Sequence, residues 1–226
     1  MSKRMPAQVE KFDVLRLFPT FVWRAELRPE VCLSINDLVL SRLNEIEPLL
    51  RDLQAGESWQ SDHGLYLLEG FEGLVGCIVE AGESLLDCLK VVPRSFQITG
   101  CWATVNGPGA SHRVHSHPNN YLSGVYYVQT QEGANTINFH DPRPQVGILS
   151  PPVSELTAET TDQVVVKVKD GTLLMFPAWL QHSVDPNRSE RARVSISFNI
   201  MLSEYAETIS RPMWMGGWRR PHLPPR

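Results

Sequence analysis

The sequence predicts an α+β fold in which two helices cover one face of a β-sandwich or barrel. Two observations carry this. Residues 95–202 break into eight short runs rich in β-branched and aromatic residues, separated by turn clusters. Residues 30–53 and 71–91 instead keep an apolar period near 3.6. Strands grouped after helices indicate α+β layering rather than alternating βαβ units.

Taken in order, residues 12–27 mix apolar and β-branched positions around Pro19 and read as one or two short strands. In 30–53, Ile35, Leu38, Val39, Leu43, Ile46, Leu49, Leu50 and Leu53 mark a helix that Pro48 should kink or end. Residues 57–70 have no clear period. In 71–91, Phe71, Leu74, Val75, Ile78, Leu85, Leu86 and Leu89 share one side, and Gly73, Gly76 and Gly82 permit close packing. The strand runs are 95–105, 113–117, 121–130, 135–140, 163–169, 172–177, 181–184 and 192–202, with Gly107-Pro108-Gly109, Glu132-Gly133, Asp170-Gly171 and Pro186-Asn187 between them. No linker or repeat divides the chain. The expectation is one domain over 1–226: supporting elements to 94, a β core over 95–203 and a Pro/Trp/Arg-rich tail over 204–226.

Composition narrows the function classes. A net charge of −4 gives no field that favours nucleic acid. Cys32, Cys77, Cys88 and Cys101 form no CxxC pair and no disulfide-scaffold pattern, as expected for buried thiols in a reducing compartment. The first residues lack an apolar signal core, and no apolar run is long enough to span a bilayer. A cytoplasmic protein is expected, with no nucleic-acid or membrane partner. The tail with Trp214 and Trp218 is a candidate surface for a second subunit, hence a homodimer, or for the chain's own body.

The chemistry concentrates in His115-Ser116-His117-Pro118 and in His182. Residues two apart on a strand share a face, so Arg113, His115 and His117 should point one way and His112, if the strand extends that far, the other. Pro118 should end that strand and leave both rings near a loop mouth. With His182 these rings form a three-imidazole set that suits iron, zinc, copper or nickel and leaves coordination positions open. Arg193 stands eleven residues past His182, in a stripe where Arg191, Arg193, Ser195, Ser197 and Asn199 alternate with Val194, Ile196, Phe198 and Ile200. That polar stripe is either a solvated outer face or the floor of a pocket. In the second case Arg193 grips a carboxylate with two hydrogen bonds and Ser195 adds another.

The strings HSHPNNYLSGVYYV, INFHDPRP, DGTLLMFPAWLQHSV and RARVSISFN resemble the 2-oxoglutarate-dependent non-haem iron(II) oxygenases. They are most similar to a subgroup related to prolyl hydroxylases, with H-x-HP, SGVYY, DPR and FPxWLxH blocks. The resemblance covers roughly residues 100–200, with a looser echo in LFPTFVW. It implies a double-stranded β-helix (jelly roll) that couples decarboxylation of 2-oxoglutarate, with O₂, to oxidation of a small-molecule or amino-acid-like substrate. It also implies that His115, His117 and His182 bind Fe(II) and that Arg193 and Ser195 hold the distal carboxylate. Tyr127 and Asn106 are implied near the cosubstrate, and Trp102, Arg143 and Trp179 near the substrate. The departure is His117, where the superfamily places Asp or Glu; Asp141 of the DPR block is the candidate substitute ligand. The alternatives are a cupin-type metal enzyme and a non-catalytic jelly-roll binding module. The cupin fits Pro177-x-x-x-x-His182 but has no need of Arg193 or Ser195.

Overall fold

The computed structural model describes residues 11, 13–47, 53–92, 95–148 and 151–206. Ten strands run along the chain: β1 (Trp23–Glu26), β2 (Ser58–Gln60), β3 (Phe96–Asn106), β4 (His112–His115), β5 (Leu122–Gln129), β6 (Thr136–His140), β7 (Gln163–Lys167), β8 (Thr172–Pro177), β9 (His182–Val184) and β10 (Arg193–Leu202). Helix α1 (Pro29–Ile46) lies between β1 and β2, α2 (Glu72–Cys88) between β2 and β3, and α3 (Ser203–Ala206) follows β10. The eight strand runs expected after residue 94 are all present. Of the expected 12–27 strand region only β1 is extended. The aperiodic 57–70 stretch contains β2 and a 3-10 turn over Leu65–Leu67.

The strands form two antiparallel sheets, ordered β1-β8-β5-β10-β3-β2 and β4-β9-β6-β7. This is the jelly-roll layering that the sequence implied. The central strands of the larger sheet are buried on both faces. Its outer face packs Ala103, Val105, Tyr126, Leu173, Met175, Ile196 and Phe198 against Ile35, Val39 and Leu43 of α1 and Leu74, Ile78 and Leu85 of α2. Its inner face meets the smaller sheet through Val125, Tyr127, Leu174 and Phe176 on one side and Ile137 and Phe139 on the other. Each fully buried side chain of this size stabilises the fold by about 1.5–3 kcal/mol before entropy is counted.

Local chemistry sets the helix positions. Pro29 occupies the first turn of α1, where its missing N–H costs nothing, and α1 ends ahead of Pro48. A polar clasp fixes α1 to the sheet: Tyr126 Oη donates to Asn36 Oδ1 at 2.6 Å, and Asn36 Nδ2 donates to the Val128 carbonyl at 2.8 Å. Gly82 lets α2 approach β3, since a Cβ there would lie 2.7 Å from Phe96 Cζ. No described helix is long and apolar enough to cross a membrane. Most of the expected tail, 207–226, lies outside the described residues.

Candidate metal centre and its cavity

The strand pairing itself brings the histidines together. His115 ends β4 directly opposite His182, the first residue of β9. His117 lies two residues beyond β4 rather than on it. Its loop is pinned because its backbone N–H donates to the Ala178 carbonyl at 2.8 Å, in the turn that leads into β9. One metal-ligating atom from each of the three rings falls within 4.8 Å of the others, and His117 Nε2 is 3.3 Å from His182 Nε2. Two nitrogens bound at right angles to one ion with bonds of ~2.1 Å stand roughly 3 Å apart, so the donor set fits a transition metal.

The tautomers also fit. His115 Nδ1 donates to the Arg113 carbonyl at 2.8 Å and His182 Nδ1 to the Leu180 carbonyl at 3.0 Å. A carbonyl only accepts, so both Nδ1 atoms carry protons and both Nε2 lone pairs are free for a metal. Burial, then repulsion from His182 and His115, lowers His117 to about 3. Burial, then repulsion from His115, lowers His182 to about 4. Both rings are therefore neutral, as metal ligands must be, across the physiological range.

The rings open into a cavity between the two sheets. Its wall includes Gln60, Trp102, Thr104 and Asn106 from β2 and β3, and Arg193, Ser195 and Ser197 from β10. The polar stripe of β10 thus faces inward. Arg193 is 2% exposed and Ser195 4%, which removes the reading of a solvated outer face. Arg193 is paired in register with Asn106, and Ser195 with both Tyr127 and Thr104, so these side chains share one face.

No acidic partner reaches the Arg193 guanidinium among the described residues. Among the described residues Arg193 Nη1 donates a long hydrogen bond to the Thr136 carbonyl at 3.4 Å, and its Nε is buried and unpartnered. The guanidinium carbon lies 5.1 Å from the centre of the Tyr127 ring. Tyr127 Oη and Asn106 Nδ2 are likewise buried without a partner. Burial pushes the Tyr127 phenol upward, so it is a protonated donor. Leaving such a charge unpaired costs on the order of several kcal/mol, which an entering anion would recover.

The other expected residues separate into two groups. Trp102 is on the cavity wall, with its ring centre 5.8 Å from that of His117. Asp141 is not in the ligand cluster: Arg143 Nε donates to it at 2.9 Å, and that hydrogen bond holds its carboxyl below the usual range. Arg143 is 66% exposed in this pair, and Trp179 is 55% exposed; neither is on the cavity wall.

Two further histidines join the site without a signal in the sequence. His112 lines the cavity instead of facing away, because the β4–β9 register shifts between His112 and His115 and breaks the strict alternation. Burial, then the fields of His115 and Arg193, holds it at about 4. His63 stacks on Trp102 at 4.3 Å with the planes 14° apart, and burial lowers it too. His112 stands visibly in HRVHSH, but a bulge has no signature there. Nothing local marks His63.

Comparison with known proteins agrees with this geometry. Residues 100–199 match the family described as "Putative 2OG-Fe(II) oxygenase". No curated protein matches the chain by sequence. Among solved structures, the carbocyclase SnoK from nogalamycin biosynthesis, described as non-heme and α-ketoglutarate dependent, has a TM-score of 0.59 at 10% identity, over 81% of this chain and 80% of its own. A Pseudomonas putida prolyl-4-hydroxylase has a TM-score of 0.53 at 15% identity, over 81% of this chain and 93% of its own. HygX from Streptomyces hygroscopicus, solved with nickel and 2-oxoglutarate bound, has a TM-score of 0.53 at 12% identity, over 81% and 83%. At these identities the likeness is one of fold.

Proposed function

We propose that this 2-oxoglutarate/Fe(II) oxygenase holds its iron on His115, His117 and His182 and oxidises a C–H bond of a small-molecule or amino-acid-like substrate. The observation that carries the reading is Arg193, a buried cation with no counter-ion among the described residues, on the wall of the cavity into which the three imidazoles open. Iron bound there would supply activation of O₂ coupled to decarboxylation of 2-oxoglutarate to succinate and CO₂.

The chain's own residues position and shield. Arg193 receives the distal carboxylate of 2-oxoglutarate, and the Ser195 hydroxyl, Tyr127 Oη and Asn106 Nδ2 are the neutral donors within the same strand-face group. Val125, Ile137 and Phe176 give this part of the cavity apolar walls, which strengthen a charge pair by excluding water. The carbonyls of Arg113 and Leu180 hold two of the three ligand rings in the metal-binding tautomer. Trp102 borders the ligand cluster and is assigned to the substrate side. A cytoplasmic setting belongs to this reading and is supported by the four free cysteines. The net charge of −4 supports a small molecule over nucleic acid as substrate.

The test is anaerobic addition of Fe(II) and 2-oxoglutarate, read by the visible charge-transfer absorption. The band is expected with the wild-type chain and lost in Arg193→Ala. No band, or an Arg193→Ala variant that behaves like wild type, overturns the assignment.

A further inference from the structure

The charges around the cavity do not cancel once its ligands are counted. The three converging groups are imidazoles, which bind a metal as neutral donors. No Asp or Glu is on the described cavity wall, and Arg193 is the only permanently charged side chain there. The carboxylates nearest in sequence to β6 and β9 are engaged elsewhere: Asp141 by Arg143, and Asp185 by Asn138 Nδ2 at 2.9 Å. With 2-oxoglutarate in place, its distal carboxylate neutralises Arg193. Its other carboxylate would cancel one of the two charges of Fe(II). One unit of positive charge would be left at the metal, held between the buried His117 and His182 and the exposed His115.

We propose that the primary substrate is a carboxylic acid whose carboxylate is drawn to the metal end of the cavity by this residual charge. The inference rests on the iron and 2-oxoglutarate reading above. A monoanion matches the single unreplaced charge, whereas a phosphate dianion exceeds it. An amine meets like charge and finds no acidic partner on the wall. The wall does offer neutral groups that suit a carboxylate. His112 lines the same cavity, with its ring centre 6.3 Å from that of His115. The Gln60 amide reaches Thr104 Oγ1 only at 3.3 Å, which leaves its second N–H to donate. Trp102, backed by His63, gives a flat surface for the substrate skeleton next to His117.

The test uses the full chain loaded anaerobically with Fe(II) and 2-oxoglutarate, titrated with matched probes while the charge-transfer band is followed. The probes are hexanoate, hexanamide and hexylamine; benzoate, benzamide and benzylamine; and phenyl phosphate. The acids are expected to perturb the band with at least tenfold higher affinity than the amides, and the amines to give no saturable change. In His117→Asp, whose new carboxylate cancels the residual charge, that preference should fall at least tenfold. Gln60→Glu places a carboxylate on the wall without touching a ligand and should act in the same direction. Equal affinity for acid and amide, tighter binding of phenyl phosphate, no response to any carboxylate, or an acid preference that survives both variants overturns the proposal. If the band never forms, the cosubstrate reading has failed instead. Calorimetric titration of the same probes into the Fe(II)-loaded chain then decides whether charge selects the substrate, by the same acid-over-amide criterion.

Discussion

Arg193 and Asn106 sit directly opposite each other on β10 and β3, and each presents a buried nitrogen with no hydrogen-bond partner. Two adjacent orphaned donors, one of them charged, are expensive in an interior. Their position side by side supports the proposal that Arg193 and Asn106 receive an anion.

Substitution of Arg193 by Met should therefore separate stability from binding. Replacing a buried ionic group with an apolar side chain of similar volume is often neutral or stabilising by about 1–4 kcal/mol. The ligand-free variant should melt no lower than wild type. Its affinity for 2-oxoglutarate should fall by roughly 30-fold or more, the usual cost of removing one partner of a buried charge pair. Thermal melts with and without 2-oxoglutarate measure both quantities, and a variant that melts lower yet still binds would refute the assignment.

Metal content should distinguish the true ligands from Asp141. Alanine at His115, His117 or His182 removes one of three donors, and iron retained after desalting should drop sharply in each. Asp141→Asn disturbs only the pairing with Arg143, so its iron content should match wild type. Elemental analysis of the four purified variants decides this.

The metal-free chain should lose stability in acid across a definite window. His112, His117 and His182 are held at about 4, about 3 and about 4, all below the ordinary histidine value. Between roughly pH 6.5 and those values the unfolded chain binds more protons than the folded one, so stability falls as pH falls and levels off below them. Urea midpoints from pH 7.5 to pH 4 should decline. Saturating Ni(II), which excludes protons from the ligands, should raise stability most at the upper end of that range. A flat profile without metal would contradict the buried, neutral cluster.

Gly124 on β5 is expected to tolerate no side chain. A Cβ there would meet Phe198 Cζ and the Leu174 carbonyl, at 2.6 Å in the latter case, and backbone cannot swing away. Gly124→Ala should destabilise the fold by about 1–3 kcal/mol, as overpacked cores do. Because Gly124 also borders the cavity, 2-oxoglutarate affinity should drop with it. Chemical denaturation and a binding titration check the two effects.

Much of this protein was already determined by its sequence. The alternation of Val194, Ile196, Phe198 and Ile200 with Arg193, Ser195, Ser197 and Asn199 prescribes a strand buried on both faces once one face has helices to cover it. The 3.6 period of 30–53 and 71–91 prescribes those helices, which the structure ends earlier, at Ile46 and Cys88, and the spacing of His115, His117 and His182 prescribes a three-point imidazole set. Tertiary structure alone decided which polar groups share the cavity. Asp141 was a candidate ligand by sequence, but a nearer cation in Arg143 claims its carboxylate. Trp179 adjoins the ligand strand in sequence, yet the turn before β9 directs it outward. His112 was excluded by alternation and enters through a register shift. Periodicity reports the faces of regular elements because side-chain direction repeats with the backbone. It is silent at bulges and turns, where direction depends on contacts with residues far away in the chain, and there the three-dimensional packing decides.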